Sequence, residues 1–227
     1  MTKQTVKPAV SAPLMQREEA YLSLERLIVT GQLAPGAWVS ETDLMKVSGH
    51  SRASVRFAVQ RLQDQGLISI VPRRGARICP LDITLQFRAQ ELRRVVEGLL
   101  ARCAAERATE AQRQQFRQMS QAFCKHASDR DAIAMMDLDI QHHSLMSEAA
   151  DNTFAAKAMH SVKGVSRRFW LLHYEKHGDV QRMADVHHSV ATAIAEGQPD
   201  KAEAAVRDLV DYVEEFTLRV VGFTRKD

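Results

Sequence analysis

The feature that most constrains the fold of this chain is an ordered series of short segments between residues 18 and 79. A helical pattern of apolar residues covers about residues 18–30. It is followed by Ser40-Glu41-Thr42-Asp43, in which a serine precedes an acid by three residues, as in a capping box. Ser51 then caps a further amphipathic segment over residues 52–65. These signals predict three helices, the last two of which form a helix-turn-helix.

Two short apolar runs close this part of the sequence. Residues 67–71 and 76–79 have the composition of strands, and Pro72-Arg73-Arg74-Gly75 between them predicts a tight basic turn. A helix, a helix-turn-helix and a basic hairpin within about 60 residues form a DNA-binding winged helix. The alternative, a solvated basic helix beside an unrelated hairpin, does not explain why all five elements occur in this order.

The residues expected to contact DNA lie at the start of the third helix and in the wing. Arginine can donate two parallel hydrogen bonds to guanine O6 and N7, and a major groove admits one helix. Arg52 and Arg56 share one face of the third helix. Gly75 lets the wing backbone approach the duplex closely. The full set of predicted DNA-binding residues is Ser51, Arg52, Ser54, Arg56, Thr42, Arg73, Arg74 and Gly75.

The distribution of charge agrees with this prediction. The net charge is only +3, but residues 1–80 hold eleven Lys and Arg against six Asp and Glu, whereas the remainder is slightly acidic. This asymmetry indicates that the first third meets a polyanion. No run approaches the ~18 apolar residues of a membrane helix, and the N-terminus lacks the apolar core of a secretory signal. Three widely spaced cysteines suit a reducing compartment, so we expect a cytoplasmic protein.

The segment GQLAPGAWVSETDLMKVSGHSRASVRFAVQRLQDQGLISIVPRRGARI resembles the winged helix of GntR-type bacterial transcription regulators. In that family a gly-x-leu-x-pro-gly turn precedes a ser-glu-x-x-leu helix and a ser-arg-x-x-val-arg helix. The resemblance covers about residues 18–79 and implies binding to double-stranded operator DNA. Thr42 stands where many members carry an arginine that contacts DNA, and Ala53-Ser54 replaces a common threonine-proline pair. We therefore expect an operator sequence that differs from the family norm.

The remainder of the chain predicts an all-helical bundle. From Ile83 onward, apolar residues recur at helical spacing without a strand signal, so the fold class is mainly α with a small β-hairpin wing. The predicted organisation is a flexible arm over residues 1–15, a winged helix over 16–79, a linker over 80–83 and an effector-binding and dimerisation domain over 84–222.

Polar residues interrupt the apolar stripes of these helices. His187 shares a helix face with Met183 and Val190, so we expect it to point inward. Asp139 and His143 are four residues apart. At that spacing two side chains can hold one metal ion, and a buried histidine can equally pair with its aspartate. The residue pattern leaves both alternatives open.

Three segments of this half resemble the ligand-binding FCD domain of the FadR subfamily of GntR regulators. They are ELRRVVEGLLARCAAERA, DLDIQHHSLMSEAADN and VHHSVATAIAEGQPDKAEAAVRDLV. Members often bind one divalent metal ion, zinc or similar, through one aspartate and three histidines, and the metal helps hold a carboxylate effector. Carried over by position, the resemblance implies Asp139, His143 and His187 as metal ligands, whereas the fourth ligand position falls at Leu209.

Further effector-binding candidates follow from the same resemblance. Arg93 occupies the arginine position of the opening helix, and its guanidinium suits a carboxylate. A surface arginine beside Glu97 is the alternative. Asn152 is expected to cap a helix or border the cavity, whereas His142 and His188 are expected at the surface. The predicted effector-binding set is Arg93, Asp139, His143, His187 and Asn152.

Together these patterns predict a homodimeric transcription regulator, more often a repressor than an activator, and not an enzyme. Each winged helix would contact one half of a near-palindromic operator. A small effector, expected to be a carboxylate, would change that affinity from the helical domain. A metal-dependent hydrolase with an accessory winged helix is the alternative from another class. A third possibility, an architectural DNA-binding protein, predicts no internal cavity.

Overall fold

The computed structural model describes residues 12–129 and 131–222, with side chains from Met15 onward. The chain divides into two compact units, Met1–Pro80 and Leu81–Asp227. Of the arm predicted over residues 1–15, residues 1–11 lie outside the described residues, and residues 12–15 form the start of the first helix. In the described part of the chain, every helix is too short or too polar to cross a bilayer.

The N-terminal unit contains three helices and a three-stranded antiparallel sheet in its described part. The helices are α1 (Ala12–Val29), α2 (Glu41–Ser48) and α3 (Arg52–Asp64). The strands are β1 (Trp38–Val39), β2 (Ile68–Val71) and β3 (Gly75–Ile78). The central strand is β3, with Ile78 opposite Ile68 of β2 and Arg77 opposite Trp38 of β1. The predicted two-stranded wing is therefore extended by β1, which is too short to show an alternating pattern.

Both helices of the helix-turn-helix begin at the predicted serine caps. The Oγ atom of Ser40 accepts a hydrogen bond from the backbone N–H of Asp43 at 3.1 Å, and the Asp43 carboxylate accepts one from the Ser40 N–H at 3.0 Å. Ser51 Oγ accepts a bond from the Ser54 N–H at 3.3 Å. These bonds satisfy N–H groups that have no partner inside the helix, and they set where α2 and α3 begin.

The apolar core of this unit directs the polar face of α3 to solvent. Helix α1 packs against α3, and Leu24, Val55 and Leu62 are fully buried. Burial of each such side chain contributes about 1.5–3 kcal/mol. Because the apolar face of α3 packs into this core, Arg52 and Arg56 lie on the exposed side of the helix.

The C-terminal unit is a bundle of six helices in its described residues. They are α4 (Ile83–Arg107), α5 (Glu110–Asp129), α6 (Ala132–Ala150), α7 (Thr153–His177), α8 (Val180–Ala195) and α9 (Pro199–Val220). Helix α4 packs against α9, α7 and α6, and α5 packs against α8 and α6. Strands are confined to the N-terminal unit among the residues described. The expectation of a mainly α chain with a C-terminal helical bundle is confirmed.

Candidate functional site

The exposed face of α3 carries two arginines that share one carboxylate. Arg52 Nε lies 2.9 Å from Glu41 Oε1, and Arg56 Nε lies 2.7 Å from Glu41 Oε2. The two arginine side chains are 63% and 67% exposed. A guanidinium has five N–H donors in a planar fork. Glu41 therefore orders both side chains through Nε and leaves their other donors for an acceptor outside the protein.

The wing presents Arg73 and Arg74 at an exposed turn. The Arg74 N–H donates to Val71 O at 3.0 Å, and Pro72 precedes Arg73, whose φ is 64°. Proline followed by a residue with positive φ is the pattern of a type II turn. In such a turn glycine is usual at the second of the two central positions, which Arg73 occupies here. An arginine there costs on the order of 1 kcal/mol. The wing tip therefore has a positively charged side chain at a position where glycine would be less strained.

The predicted DNA-binding residues differ in exposure. Ser54 is only 4% exposed, and its hydroxyl lies 3.1 Å from that of Ser51. Because Ser54 lies on the buried side of the first turn of α3, it serves the helix cap and is not available to a base. This corrects its assignment to the DNA surface. The other predicted residues are exposed, namely Ser51, Arg52, Arg56, Thr42, Arg73, Arg74 and Gly75.

The C-terminal unit encloses a cavity to which all six helices contribute. Its empty space is about 560 Å³ including the mouth toward solvent, and the part in which the centre of a water molecule can move is about 50 Å³. This cavity counts against the alternative of an architectural DNA-binding protein, which predicts none. The polar lining residues are Arg93, Asp139, His143, Lys163, Ser166, Arg167 and His187. The apolar lining residues are Phe123, Met135, Met136, Trp170, Met183, Leu209 and Val213.

Asp139 is the centre of the polar wall. Its Oδ1 lies 3.1 Å from His143 Nε2 and 3.2 Å from His187 Nε2. Its Oδ2 accepts a hydrogen bond from Arg167 Nε at 3.0 Å, and Arg167 Nη2 forms an ion pair with the same oxygen at 3.0 Å. Burial by itself would raise the pKa of Asp139, but His143, Arg167 and the bond from His187 outweigh burial and hold that pKa well below its usual value. Asp139 is therefore an anion at neutral pH.

Arg93 and Glu97 form a second buried ion pair beside the cavity. Arg93 Nε donates to Glu97 Oε2 at 2.8 Å, and Arg93 Nη1 donates to Ser166 Oγ at 2.9 Å. Burial by itself would raise the pKa of Glu97, but the charges of Arg93 and His143 lower that pKa to about 2. Arg93 thus lines the cavity, and the alternative of a surface arginine is wrong. The pairing with Glu97 that accompanied that alternative is present, but it is buried.

Lys163 adds a third cation to the cavity. Burial lowers the pKa of Lys163 to about 8, against the attraction of Asp139 and Glu97. The ammonium makes no hydrogen bond or ion pair with the described residues, and it lines the cavity one helical turn before Arg167. The site therefore holds three basic side chains against two carboxylates. Within this group, one positive charge is not balanced.

The residues present do not fit the metal site that the resemblance implied. Among the described residues, no group of three or more His, Cys, Asp or Glu side chains is arranged to hold a metal ion. His143 Nε2 lies between two carboxylate oxygens, 3.1 Å from Asp139 Oδ1 and 3.3 Å from Glu97 Oε1. With that nitrogen protonated it can donate to both carboxylates, so a metal ion there would have to displace the proton and both contacts. Leu209, at the fourth position, is apolar and 1% exposed.

His142 of α6 is buried more deeply than expected, whereas His187 of α8 lies where it was predicted. His187 points inward as predicted, and its Nδ1 donates to Met183 O at 2.8 Å. His142 was expected at the surface, but it is 1% exposed and lies edge-on to Phe116 and Phe123, with ring centroids 5.7 Å away in each case. The prediction for His142 is wrong because α4 and α5 both pack on α6. Burial holds the pKa of His142 well below its usual value.

Two further predicted residues lie away from the cavity lining. Asn152 caps α7, since its Oδ1 accepts a hydrogen bond from the Ala155 N–H at 3.1 Å. It is not among the residues that line the cavity in the described structure, so its place in the effector-binding set is corrected. His188 is half-buried rather than on the surface, with its Nδ1 3.2 Å from Ser120 O.

Sequence reasoning missed most of the contribution of α7. Lys163, Ser166, Arg167 and Trp170 all line the cavity. Their spacing of three, one and three residues places them on one helix face. Two basic residues on a face that also carries a tryptophan were the available signal. Only the packing of α7 against α4 shows that this face is the inner one.

A winged helix with exposed arginines and a helical bundle with an internal cavity define a two-domain transcription regulator. Comparison with known families agrees with that class. The model described as "Bacterial regulatory proteins, gntR family" matches residues 16–78, and the FCD domain model matches residues 89–212. The chain therefore belongs to the GntR family of bacterial transcriptional regulators and carries an FCD domain. The resemblance seen in the sequence is confirmed.

Similar proteins cover almost the whole chain. The HTH-type transcriptional repressor RspR of Escherichia coli is 24% identical over 211 residues, which are 93% of this chain and 92% of RspR. The galactonate operon transcriptional repressor of the same species is 24% identical over 224 residues, which cover 87% of this chain and 94% of that repressor. The solved structure of E. coli McbR/YncC has a TM-score of 0.78 at 13% identity and covers 94% of this chain and 100% of that one. This structural likeness shows the shared fold.

Proposed function

We propose that this chain is a homodimeric transcriptional repressor whose affinity for operator DNA changes when a small carboxylate binds in the cavity of the FCD domain. One observation carries the proposal. Three cations, those of Arg93, Lys163 and Arg167, line the cavity. They face the carboxylate of Asp139 in the lining and that of Glu97, which is paired with Arg93 beside it. A buried charge without a counterion is costly, and an organic anion supplies the counterion that is missing.

The remaining lining supports an effector that also has a hydrocarbon part. Met135, Met183 and Trp170 lie on the cavity wall, and methionine side chains adapt to irregular shapes. Binding sites for small molecules are usually apolar with a few convergent polar groups. The limited free space favours a small metabolite over a long-chain lipid.

The exposed arginines support the DNA-binding half of the proposal. Arg52 and Arg56 are held side by side by Glu41 at the start of α3, where a recognition helix contacts base edges. Arg73 and Arg74 extend from the wing toward phosphates or the minor groove. Two copies of this unit would bind half-sites about one helical turn, roughly 34 Å, apart.

An apolar stripe on α4 supports the homodimer. Val95 and Leu99 are four residues apart and are 71% and 44% exposed, and the half-buried Leu92 lies one turn earlier. Exposed apolar residues at helical spacing are typical of an interface. A second copy of α4 would cover them in a symmetric contact.

The relatives favour repression. RspR and the galactonate operon protein are both repressors by name, and galactonate is an organic acid anion. The hydrolase alternative has no comparable support, because it needs a metal-bound water and the donor set does not fit a metal ion. For the effector to act, it must bind with different affinities to the DNA-bound and DNA-free arrangements.

The proposal is tested by measuring DNA affinity with and without candidate effectors. Duplexes selected from a random pool by the full-length protein would supply the operator, and fluorescence anisotropy would report its affinity. We expect at least one small carboxylate to change the dissociation constant by about 5-fold to 150-fold, a typical coupling, while its uncharged amide does not. The effector function is wrong if none of a broad set of acids changes the affinity for the selected duplex.

A further inference from the structure

We infer that Lys163, with Arg167, occupies the role of a metal ion in this cavity, so that the effector's carboxylate binds directly to cationic side chains. This inference rests on the proposed function, because it names the groups that hold the proposed effector. It concerns residues of α7 that neither the sequence motifs nor the family resemblance indicated.

The first step concerns Asp139, the residue that would have to hold the metal. Arg167 donates a hydrogen bond from Nε to Asp139 Oδ2 at 3.0 Å, and its Nη2 lies 3.0 Å from the same oxygen. His143 and His187 lie 3.1 and 3.2 Å from Oδ1. Both oxygens of the Asp139 carboxylate thus already contact basic side chains. A metal ion at this position would have to displace these contacts.

The second step concerns the charge already present. Arg93, Lys163 and Arg167 all line the cavity, and burial weakens solvent screening between charges. A divalent cation would add two positive charges to a group that already exceeds its carboxylates by one. Like charges within a few ångströms repel strongly at low effective dielectric constant. The cavity is therefore built to accept an anion.

The third step distinguishes Lys163 from the other two cations. Arg93 is bonded to Glu97 and Ser166, and Arg167 is bonded to Asp139. The Lys163 ammonium has three donors, and no hydrogen bond or ion pair to it is present among the described side chains. An incoming carboxylate can bond to Lys163 without breaking an existing contact.

Leu209 of α9 supplies an apolar part of the cavity lining. It is fully buried on α9 and lines the same cavity, at the position where the resemblance placed a metal-binding histidine. An apolar side chain at that point gives the hydrocarbon part of an effector a surface to pack against. The charged and apolar walls thus match the two parts of an amphipathic acid.

The test uses full-length protein treated with a chelator and shown by elemental analysis to be metal-free. Thermal unfolding is measured with acetate, butyrate, succinate, benzoate, uncharged benzamide and zinc ions alone. We expect at least one acid to raise the midpoint of unfolding with chelator present, and benzamide and zinc ions not to raise it. In Lys163→Met the dissociation constant of that acid should rise about tenfold or more, as for a lost charge-assisted hydrogen bond.

Matched variants separate a lost anchor from a damaged fold. Lys176→Met changes an exposed lysine of the same helix and should leave acid binding unchanged. Lys163→Arg keeps the charge and should retain part of the binding. If Lys163→Met does not fold, as judged by circular dichroism, Lys163→Gln provides the same comparison.

The possible failures are distinguishable. If the acid binds only after zinc ions are restored, the metal-free site is wrong but the effector cavity stands. If Lys163→Met, or Lys163→Gln in its place, binds the acid as tightly as the wild type, Lys163 is not the anchor. If no acid binds with or without metal, the proposed effector function itself fails.

Discussion

The Arg167 guanidinium binds the Asp139 carboxylate through both Nε and Nη2, each 3.0 Å from Oδ2, and so joins α7 to α6 across the cavity wall. Since both groups are withdrawn from water, each depends on the other for compensation. Breaking one side of a buried pair costs more than the pair itself contributes, because the remaining charge stays buried.

Asp139→Asn should therefore destabilise the protein strongly. The change leaves the buried Arg167 side chain without its counterion, and we expect the free energy of unfolding to fall by about 3–5 kcal/mol. Urea denaturation followed by circular dichroism measures this difference. Asp185→Asn, at an exposed position on α8, serves as the control and should change stability by less than about 0.5 kcal/mol. Equal stability of the two variants would contradict the role of Asp139.

Arg52→Ala should weaken binding to the selected operator by about 1–3 kcal/mol and relax its sequence preference at one position. The reason is that Glu41 holds the exposed Arg52 guanidinium where a recognition helix meets base edges. Anisotropy titrations against the operator and single-base variants measure both effects. Arg207→Ala, in the C-terminal unit, is the control. Unchanged affinity in Arg52→Ala would remove Arg52 from base recognition.

Replacing Arg73 with glycine should separate stability from DNA binding. Glycine relieves the positive φ at the wing tip, so we expect stability to rise by about 1 kcal/mol while DNA affinity falls. The slope of log affinity against log salt should decrease by about one, as for one lost phosphate contact. Arg74→Gly also removes one charge, but it relieves no such strain and should not stabilise the protein. Thermal unfolding and salt-dependent anisotropy distinguish the two variants.

Binding of the carboxylate should weaken as the pH rises through about 8. Burial lowers the pKa of Lys163 in the free protein to about 8, and a bound anion would raise it again. Binding is therefore strongest below that pH, where the ammonium is already protonated, and it falls by at most about tenfold per pH unit above it. The charged and titratable groups around Lys163 are Asp139, Glu97, Arg93, Arg167, His143 and His187.

The neighbours of Lys163 do not produce the same dependence. The carboxylates of Asp139 and Glu97 stay ionised because their pKa values are lowered, and burial lowers the pKa of His143. Lys163→Arg should bind the acid with a flat profile between about pH 7 and about pH 9, since guanidinium stays protonated. A wild-type profile that is equally flat would contradict the assignment.

Val95→Glu should convert the protein to a monomer. A charge in the centre of the exposed α4 stripe would have to be buried in the proposed dimer contact, at a cost of several kcal/mol. Light scattering after size-exclusion chromatography measures the mass, and anisotropy measures the accompanying loss of operator affinity. Ile133→Glu, at an exposed apolar position of α6, should remain dimeric. A dimeric Val95→Glu would place the contact elsewhere.

The N-terminal unit was predictable because its signals act over short distances. A serine cap bonds a backbone N–H three residues away, and the Pro72-Arg73 turn depends on its own dihedral angles. These features can be predicted from the local sequence alone, because they do not depend on the rest of the fold. Strand β1 was missed because its two residues are a strand only through their pairing with β3.

In the C-terminal unit, the helices and the inward position of His187 were predictable from apolar spacing. The surroundings of that histidine were not. His142 is buried because two helices pack on α6, and Lys163 faces the cavity because α7 packs on α4. Spacing along one helix contains no information about which neighbours cover it.

The sequence by itself determined the order of the helices and the winged helix with its exposed basic residues, and the family resemblance placed an apolar Leu209 at the implied fourth ligand position. Only the tertiary structure decided that Asp139 pairs with Arg167 and that His143 lies between two carboxylates. Pairing of buried charges depends on distances of a few ångströms between side chains of different helices. Those distances are set by the packing of the whole bundle, and the proposal of an anion in place of a metal ion depends on them.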